Sequence, residues 1–201
     1  MMKETPIIMT GDSVRAIMEG RKTQTRQWLH PQPKQAVDGC WYLNRHYANE
    51  SHLRRERAVD FCLYQPGDRL WVKETWGDAD IFYQSHQNDC PFVVAYKADY
   101  SAIRYTNPPQ SPPKYDMDQW NWDSITWRSP LFMPQWASRI TLVVTEVRVQ
   151  QIQEIGTEDA RAEGYTSVEE YSKHWNQINS KKYPWESNPW IRAITFQAVV
   201  A

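Results

Sequence analysis

Cysteine is scarce in this sequence of 201 residues, which contains only 3. Cys40, Cys62 and Cys90 stand in unrelated contexts, no two of them have the spacing of a metal-binding pair, and their number is odd. The 5 His residues are equally scattered, without the spacing of a catalytic triad or of a metal site. We therefore interpret the cysteines as free thiols of a cytoplasmic protein, and we predict neither a metal nor a cofactor.

Long apolar runs are also missing. The N-terminal Met-Met-Lys-Glu-Thr-Pro lacks the apolar core of a signal peptide, and no run approaches the length that spans a membrane, so we expect no membrane partner. Neither sign of charge is in clear excess, because the net charge is −1. This balance neither predicts nor excludes a nucleic-acid partner, although the lack of a long basic run argues against a non-specific binding arm.

Tryptophan and tyrosine are abundant, with 11 of each, whereas glycine is scarce at 7. In a hydrophilic chain such rings can line a pocket and stack on a flat ligand, but most of them are expected simply to fill the core. The length fits at most two small domains, and we predict a single domain over residues 1–201, large enough to bury a core without disulfides.

The hydrophobic pattern predicts more strands than helices. Strands are predicted at 69–76, 92–96, 139–149 and 191–200. Helices are predicted at 12–20, 156–164 and 167–179. Residues 34–66 are interpreted as an irregular excursion with one hairpin, and the proline-rich residues 99–127 as a long loop. Because the strands do not alternate regularly with helices, the pattern indicates an α+β domain built on an antiparallel barrel.

The segment Gly20–Arg26 (Gly-Arg-Lys-Thr-Gln-Thr-Arg) combines three cations with two hydroxyls. Lys22 and Thr25 are three residues apart, a spacing that places both side chains on one face of a helical turn. An amine beside a hydroxyl is the minimum arrangement for an activated nucleophile. The alternative is an ordinary helix C-terminus, in which Gly20 is the cap and the cations complement the helix dipole.

Four further motifs follow this segment in a fixed order. They are Gly67–Trp76 (Gly-Asp-Arg-Leu-Trp-Val-Lys-Glu-Thr-Trp), Met133–Ile140 (Met-Pro-Gln-Trp-Ala-Ser-Arg-Ile), Asp159–Gly164 (Asp-Ala-Arg-Ala-Glu-Gly) and Asn188–Trp190 (Asn-Pro-Trp). In this order the five motifs resemble the ASCH (activating signal cointegrator homology) domain in its longer bacterial and phage-like form. The resemblance covers nearly the whole chain, with insertions at about 34–66 and 77–127.

The resemblance implies a PUA-like fold, a small antiparallel β-barrel flanked by helices, and the handling of RNA or nucleosides. Small bacterial ASCH proteins are amidohydrolases that remove the acyl group from N4-acetylcytidine and related N4-acylcytidines. Their working residues match Lys22, Thr25 and Glu163 of this sequence. One departure is Arg26, which stands where the small enzymes can have an apolar residue.

These residue types suit amide hydrolysis. The Thr25 hydroxyl can form an acyl-enzyme, and Lys22 is the candidate base that activates it. Burial and the neighbouring Arg21 and Arg26 favour the neutral amine of Lys22, whereas a carboxylate at Glu163 favours the ammonium. Glu163 is accordingly a candidate proton relay, or a group that orients Lys22 and the leaving nitrogen.

Substrate-binding candidates come from the other motifs. Glu74 can accept a hydrogen bond from a cytosine amine, or it is a rim charge paired with a cation. Ser138 and Arg139 are candidate contacts for a phosphate or an oxyanion, and Arg21 and Arg26 are further substrate-binding candidates. The candidate stacking rings are Trp71, Trp76 and Trp136, of which at least one is expected to belong to the core.

Two other functions remain open from the sequence. The first is a PUA-like reader of RNA or of a modified base, without catalysis, and the second is a ribonuclease, an activity also found among bacterial ASCH proteins. The near-neutral charge favours a small nucleoside over a long RNA, because phosphate contacts need clustered cations. The expected partner is therefore an N4-acylcytidine nucleoside, with RNA as the alternative.

Overall fold

The computed structural model describes residues 3–35, 41–43, 46–48, 64–78, 92–105 and 125–200. The three cysteines lie outside these ranges, and so does much of the predicted insertion at 77–127. The free-thiol interpretation therefore stays a prediction.

Strands dominate the described residues. The strands are β1 (Glu4–Ile8), β2 (Gln24–Trp28), β3 (Lys34–Gln35), β4 (Trp41–Leu43), β5 (His46–Ala48), β6 (Arg69–Lys73), β7 (Trp76–Asp78), β8 (Phe92–Tyr96), β9 (Ser101–Tyr105), β10 (Thr126–Arg128), β11 (Ile140–Gln151) and β12 (Trp190–Val200). The α-helices are α1 (Gly11–Met18), α2 (Thr157–Ala162) and α3 (Val168–Asn179). Short 3₁₀ helices occupy Pro130–Phe132, Gln135–Ala137, Ile152–Glu154 and Trp185–Ser187. The predicted α+β class is confirmed.

The chain divides into two compact units. Unit one comprises Met1–Lys3, Glu19–Arg69 and Val143–Ala198, and unit two comprises Glu4–Met18, Leu70–Leu142 and Val199–Ala201. The prediction of one domain with two insertions stays a prediction.

In unit one, strand β12 lies between β11 and β2. It pairs with β2 in antiparallel register, with Thr25 opposite Ile194 and Arg26 opposite Ala193. Helices α2 and α3 contribute to a core that consists of Ile152, Ile155, Ala160, Tyr171, Trp175, Ile191 and Ala193. Strands β3, β4 and β5 form a separate antiparallel sheet, in which β4 and β5 are the hairpin expected within 34–66.

In unit two, β6 lies between β1 and the start of β11. A second sheet has the order β10-β7-β8-β9, and every neighbouring pair in it is antiparallel. The interpretation of 99–127 as one long loop is thus wrong at both ends, because β9 pairs with β8 and β10 pairs with β7. One core cluster of this unit consists of Trp76, Val94, Tyr96, Ile103, Met133 and Ala137.

The described sheets of both units are open rather than closed into a barrel, because each strand order ends on an edge strand. Among the described residues, no helix is long and apolar enough to cross a membrane.

Candidate active site

The segment Gly20–Arg26 leaves a helix and enters a strand. Helix α1 ends at Met18, and Gly20 follows it with φ of 73°, a left-handed conformation that suits a glycine at a helix C-terminus. The helical spacing expected for Lys22 and Thr25 is wrong, because β2 begins at Gln24 and pairs with β12 over its whole length. Strand pairing, rather than the preference of single residues, determines this conformation.

Backbone hydrogen bonds on Thr23 bring Lys22 to the end of helix α2. The Thr23 amide donates to the carbonyl of Ala162 (2.8 Å), and the Thr23 carbonyl accepts from Phe196 (2.9 Å). Lys22 Nζ donates to the backbone oxygen of Glu163 (3.1 Å) and forms an ion pair with its carboxylate. The two side chains are only 4% and 3% exposed, although their residues are 141 apart in sequence.

Arg26 extends this contact into a buried network of ion pairs. Its Nη1 donates to Glu163 Oε1 (3.0 Å), and its Nη2 lies 2.8 Å from Asp159 Oδ2. Asp159 lies in α2 and Glu163 caps its C-terminus four residues later, so both lie on one side of the helix. Arg148 Nη2 donates to the other oxygen of Asp159 (2.9 Å), and the Arg26 guanidinium lies 5.8 Å from the ring centre of Tyr171.

Thr25 belongs to the opposite face of β2. Side chains alternate along a strand, so Thr25 points away from the face that carries Gln24 and Arg26. Thr25 is 8% exposed, and its register partner is the fully buried Ile194. Among the described contacts, the amine of Lys22 bonds to Glu163 and not to the Thr25 hydroxyl. The structure thus brings Lys22, Arg26 and Glu163 together but does not join Thr25 to them.

Arg21 lies at the surface rather than in the network. Its side chain is 54% exposed and forms an ion pair with Glu19. Its Nη1 also donates a long hydrogen bond to the Gly164 carbonyl (3.4 Å).

In unit two, Glu74 and Arg139 are bound to each other. Arg139 Nε and Nη2 donate to the two carboxylate oxygens of Glu74, each at 2.9 Å. Both side chains are at least 97% buried, so Glu74 is not a rim charge. Arg139 also bonds to Asp99 and Ser101, and its guanidinium lies 4.1 Å from the ring centre of Tyr96. These protein partners occupy the donors that were expected to contact an anion.

Burial and the charge of Arg139 act in opposite directions on the pKa values of the two carboxyl groups in this cluster. Burial raises the pKa of the Glu74 carboxyl, although the hydrogen bonds and charge of Arg139 lower it in part. Burial also acts to raise the pKa of Asp99, but the hydrogen bond and charge of Arg139, together with the hydrogen bonds from Ser101, hold that pKa below its ordinary value. The pKa of Arg139 is raised despite burial, because Glu74 and Asp99 accept its hydrogen bonds.

The three candidate stacking rings occupy different environments. Trp76 is 5% exposed and belongs to the core of unit two, as expected of at least one ring. Trp71 is half-buried, with Lys73 Nζ 5.4 Å from its ring centre. Trp136 is 49% exposed.

Sequence reasoning missed Asp159, Arg148 and Asp99. The spacing of Asp159, one helical turn before Glu163, was a signal that could have found it. Arg148 and Asp99 meet their partners only through tertiary contacts, for which single-sequence patterns carry no signal. In the described part of the chain, no group of three or more His, Cys, Asp or Glu side chains could hold a metal ion.

Comparison with known proteins yields solved structures only. No family model and no curated protein matches this chain. A crystal structure of an ASCH domain from Lactobacillus crispatus is similar to it with 10% identity and a TM-score of 0.44, over 99% of this chain and 81% of that one. A protein from Enterococcus faecalis, labelled with the family model DUF984, is similar with 10% identity and a TM-score of 0.39, over 100% and 82% of the two chains. A solved ASCH domain is thus among the structures that this chain resembles.

Proposed function

We propose that this protein is an amidohydrolase that removes the acyl group from N4-acylated cytidine nucleosides. Thr25 is the nucleophile, Lys22 the base and Glu163 the proton relay. The observation that carries the proposal is the buried contact between Lys22 and Glu163, since the motif resemblance names this pair and the fold brings it together across the sequence. A buried lysine and carboxylate in direct contact can exchange a proton without help from solvent.

The proposed reaction begins with that exchange. One proton passes from the Lys22 ammonium to the Glu163 carboxylate, which leaves a neutral amine. Thr25 Oγ1 then forms a bond to the acyl carbonyl carbon while its proton moves to Lys22, and a tetrahedral intermediate results. The bond from that carbon to N4 breaks, N4 takes the proton from Glu163, and cytidine leaves an acyl-threonine.

Water completes the cycle by the same route. After a second proton exchange within the pair, a water molecule gives a proton to Lys22 as its oxygen bonds to the acyl carbon. The bond to Thr25 breaks, Thr25 regains a proton from Glu163, and the acyl group leaves as a carboxylic acid. In this scheme Arg26 orients the Glu163 carboxylate through its 3.0 Å hydrogen bond.

The scheme requires the Thr25 hydroxyl to reach Lys22, a contact that neither residue makes in the structure. Catalytic hydrogen bonds are often long or poorly aligned before substrate binds and tighten in the complex. A binding module for a nucleoside or modified base, without catalysis, is the second candidate, and the position of Thr25 on the opposite face of β2 favours it.

The test is an assay of the purified protein with N4-acetylcytidine, N4-benzoylcytidine and unmodified RNA. We expect release of cytidine from an acylated nucleoside, loss of that activity by at least about a hundredfold in Thr25→Ala and Lys22→Met, and no such loss in Thr23→Ala. Thr23 is a matched control, because it is an exposed threonine two residues away.

Three results would overturn the proposal. Binding of an N4-acylcytidine that stays intact on long incubation indicates the binding module. Cleavage of plain RNA without a metal ion indicates a ribonuclease. Full activity of Thr25→Ala removes Thr25 as the nucleophile.

A further inference from the structure

Two cations face the single carboxylate of Glu163. Lys22 contacts one of its oxygens, and Arg26 Nη1 donates to the other at 3.0 Å. The three side chains are at most 4% exposed, so solvent screens their charges little. Both cations attract a negative charge on Glu163, and they therefore oppose the transfer of a proton from Lys22 to this carboxylate.

Asp159 supplies a second negative charge next to Arg26. Its Oδ2 lies 2.8 Å from Arg26 Nη2, and its other oxygen accepts from Arg148 Nη2 at 2.9 Å. Arg26 Nη2 has no partner with hydrogen-bond geometry in the structure, so Asp159 acts on Arg26 through its charge rather than through a directional bond. Asp159 thus balances the guanidinium that faces Glu163.

The other titratable groups around this cluster are neutral or paired elsewhere. Burial raises the pKa of the Tyr171 hydroxyl on α3 well above its ordinary value, so it carries no charge beside Arg26. Arg148 on β11 also lies 3.8 Å from Glu146, which is 58% exposed. The remaining groups form surface ion pairs, Arg21 with Glu19 and Glu158 with Arg161. Among the described contacts, Asp159 and Glu163 are therefore the two carboxylates that compensate Arg26.

We propose that Asp159 is a positioning residue, which balances the charge of Arg26 and so allows the proton of Lys22 to pass to Glu163. The inference rests on the proposed function and deepens it, because it names a residue that adjusts the proton exchange within the pair. In that exchange one N–H bond of Lys22 breaks and one O–H bond of Glu163 forms. Without the charge of Asp159, Arg26 is compensated by Glu163 alone, the exchange becomes less favourable, and the chemical step slows.

The test is the pH dependence of N4-acetylcytidine hydrolysis by wild type and Asp159→Asn, which removes the charge at similar volume. The variant should lower kcat about tenfold and leave KM within about twofold. Because one negative charge is gone, both limbs of its profile of kcat/KM against pH should move to lower pH by about one unit. Arg148→Gln removes a cation from the same network, so its limbs should move in the opposite direction, to higher pH.

Two further variants separate the charge of Asp159 from its packing. Glu158→Gln is the matched control, because it removes the same charge from the preceding residue of α2. The Glu158 side chain is 85% exposed and pairs with Arg161, so the limbs should stay within about 0.3 pH unit of wild type. Asp159→Glu keeps the charge and should leave the limbs in place, even where its rate is lower.

The outcomes distinguish this inference from the proposed function. A lower kcat in Asp159→Asn with unmoved limbs indicates a purely structural role and would overturn the inference, as would an unchanged kcat or an equal shift in Glu158→Gln. Should Asp159→Asn fail to fold, Arg148→Gln decides the question, because limbs that do not move to higher pH would contradict the role of Asp159. A wild-type protein that hydrolyses no N4-acylcytidine would overturn the proposed function itself.

Discussion

Arg139 and Glu74 form a bidentate ion pair inside unit two. Two parallel hydrogen bonds of 2.9 Å join the guanidinium to both oxygens of the carboxylate, and the side chains are only 3% and 1% exposed. Pairs of this geometry are among the strongest hydrogen-bonded contacts in proteins. Desolvation opposes them, so their effect on stability is clearest when one partner is removed.

Arg139→Met should lower the free energy of unfolding by about 3–5 kcal/mol, because it leaves the Glu74 carboxyl buried without its cation. The double variant Glu74→Leu with Arg139→Met should recover much of that loss, since no charge then remains unpaired at Glu74. Urea denaturation measures both values. Arg161→Met is the control, because Arg161 pairs with Glu158 on the surface and its loss should cost about 1 kcal/mol or less. A small effect of Arg139→Met alone would contradict the prediction.

Asp99 should make stability depend on pH. Burial acts to raise its pKa, but Arg139 and the hydrogen bonds from Ser101 together hold it below the ordinary value of 3.8 in the folded protein. A lowered pKa of this kind stabilises the fold above the unfolded pKa, and the contribution is lost as the pH falls through the folded pKa. The stability difference between wild type and Asp99→Asn should therefore be full at about pH 7 and shrink below about pH 4. A stability difference between the two proteins that stays unchanged down to about pH 2 would contradict this prediction.

Lys22 and Glu163 should show strong coupling in a double-mutant cycle. Glu163→Gln removes the negative charge that faces both Lys22 and Arg26, so it should destabilise unit one by about 3–5 kcal/mol. Lys22→Met should cost less, because Arg26 still compensates Glu163. The loss of free energy of unfolding in the double variant should be smaller than the sum of the two single losses by about 1 kcal/mol or more. Additive effects, measured by urea denaturation, would indicate that the two charges do not interact.

Gly77 should not tolerate even one added methyl group. A Cβ at this position would lie 2.5 Å from Ile125 Cγ2 and 3.1 Å from the backbone oxygen of Thr126. Gly77→Ala should therefore cost about 1–3 kcal/mol, and a second change, Ile125→Ala, should relieve part of that clash. Gly11→Ala is the control, since its Cβ would meet its neighbours at ordinary distances of 3.7 Å or more. Equal thermal stabilities of the two glycine variants would contradict this account.

The sequence was most informative where apolar periodicity and caps agree. The predicted strands at 92–96, 139–149 and 191–200 are present. The helix predicted at 167–179 is also present as α3, and its N-cap Ser167 accepts a hydrogen bond from the Glu170 amide at Oγ (3.2 Å). The sequence was least informative at β2. Gln24, Thr25 and Arg26 are polar and yet buried on both faces of a strand. Arg26 forms ion pairs there and Gln24 forms a hydrogen bond, in place of the usual apolar contacts. Composition therefore carries no strand signal there.

The candidate site, like the fold, could be predicted from the sequence only in part. The pairing of Lys22 with Glu163 follows from motif order, and the structure brings the two together. The neighbouring Asp159 and Arg148 were not predicted, because their contacts depend on which strand face and helix face meet. The same alternation separates Thr25 from Lys22, which helical spacing had placed side by side.

The antiparallel register of β2 against β12 has an evolutionary consequence. Because the side-chain period of a strand is two, the gain or loss of one residue just before Gln24 would shift the register and exchange the two faces of β2 in a single step. The Thr25 hydroxyl would then face the helix that carries Glu163, and the Arg26 guanidinium would leave it. In relatives of this protein, the chemistry of the site can thus change by a one-residue insertion or deletion without any substitution among the charged residues themselves.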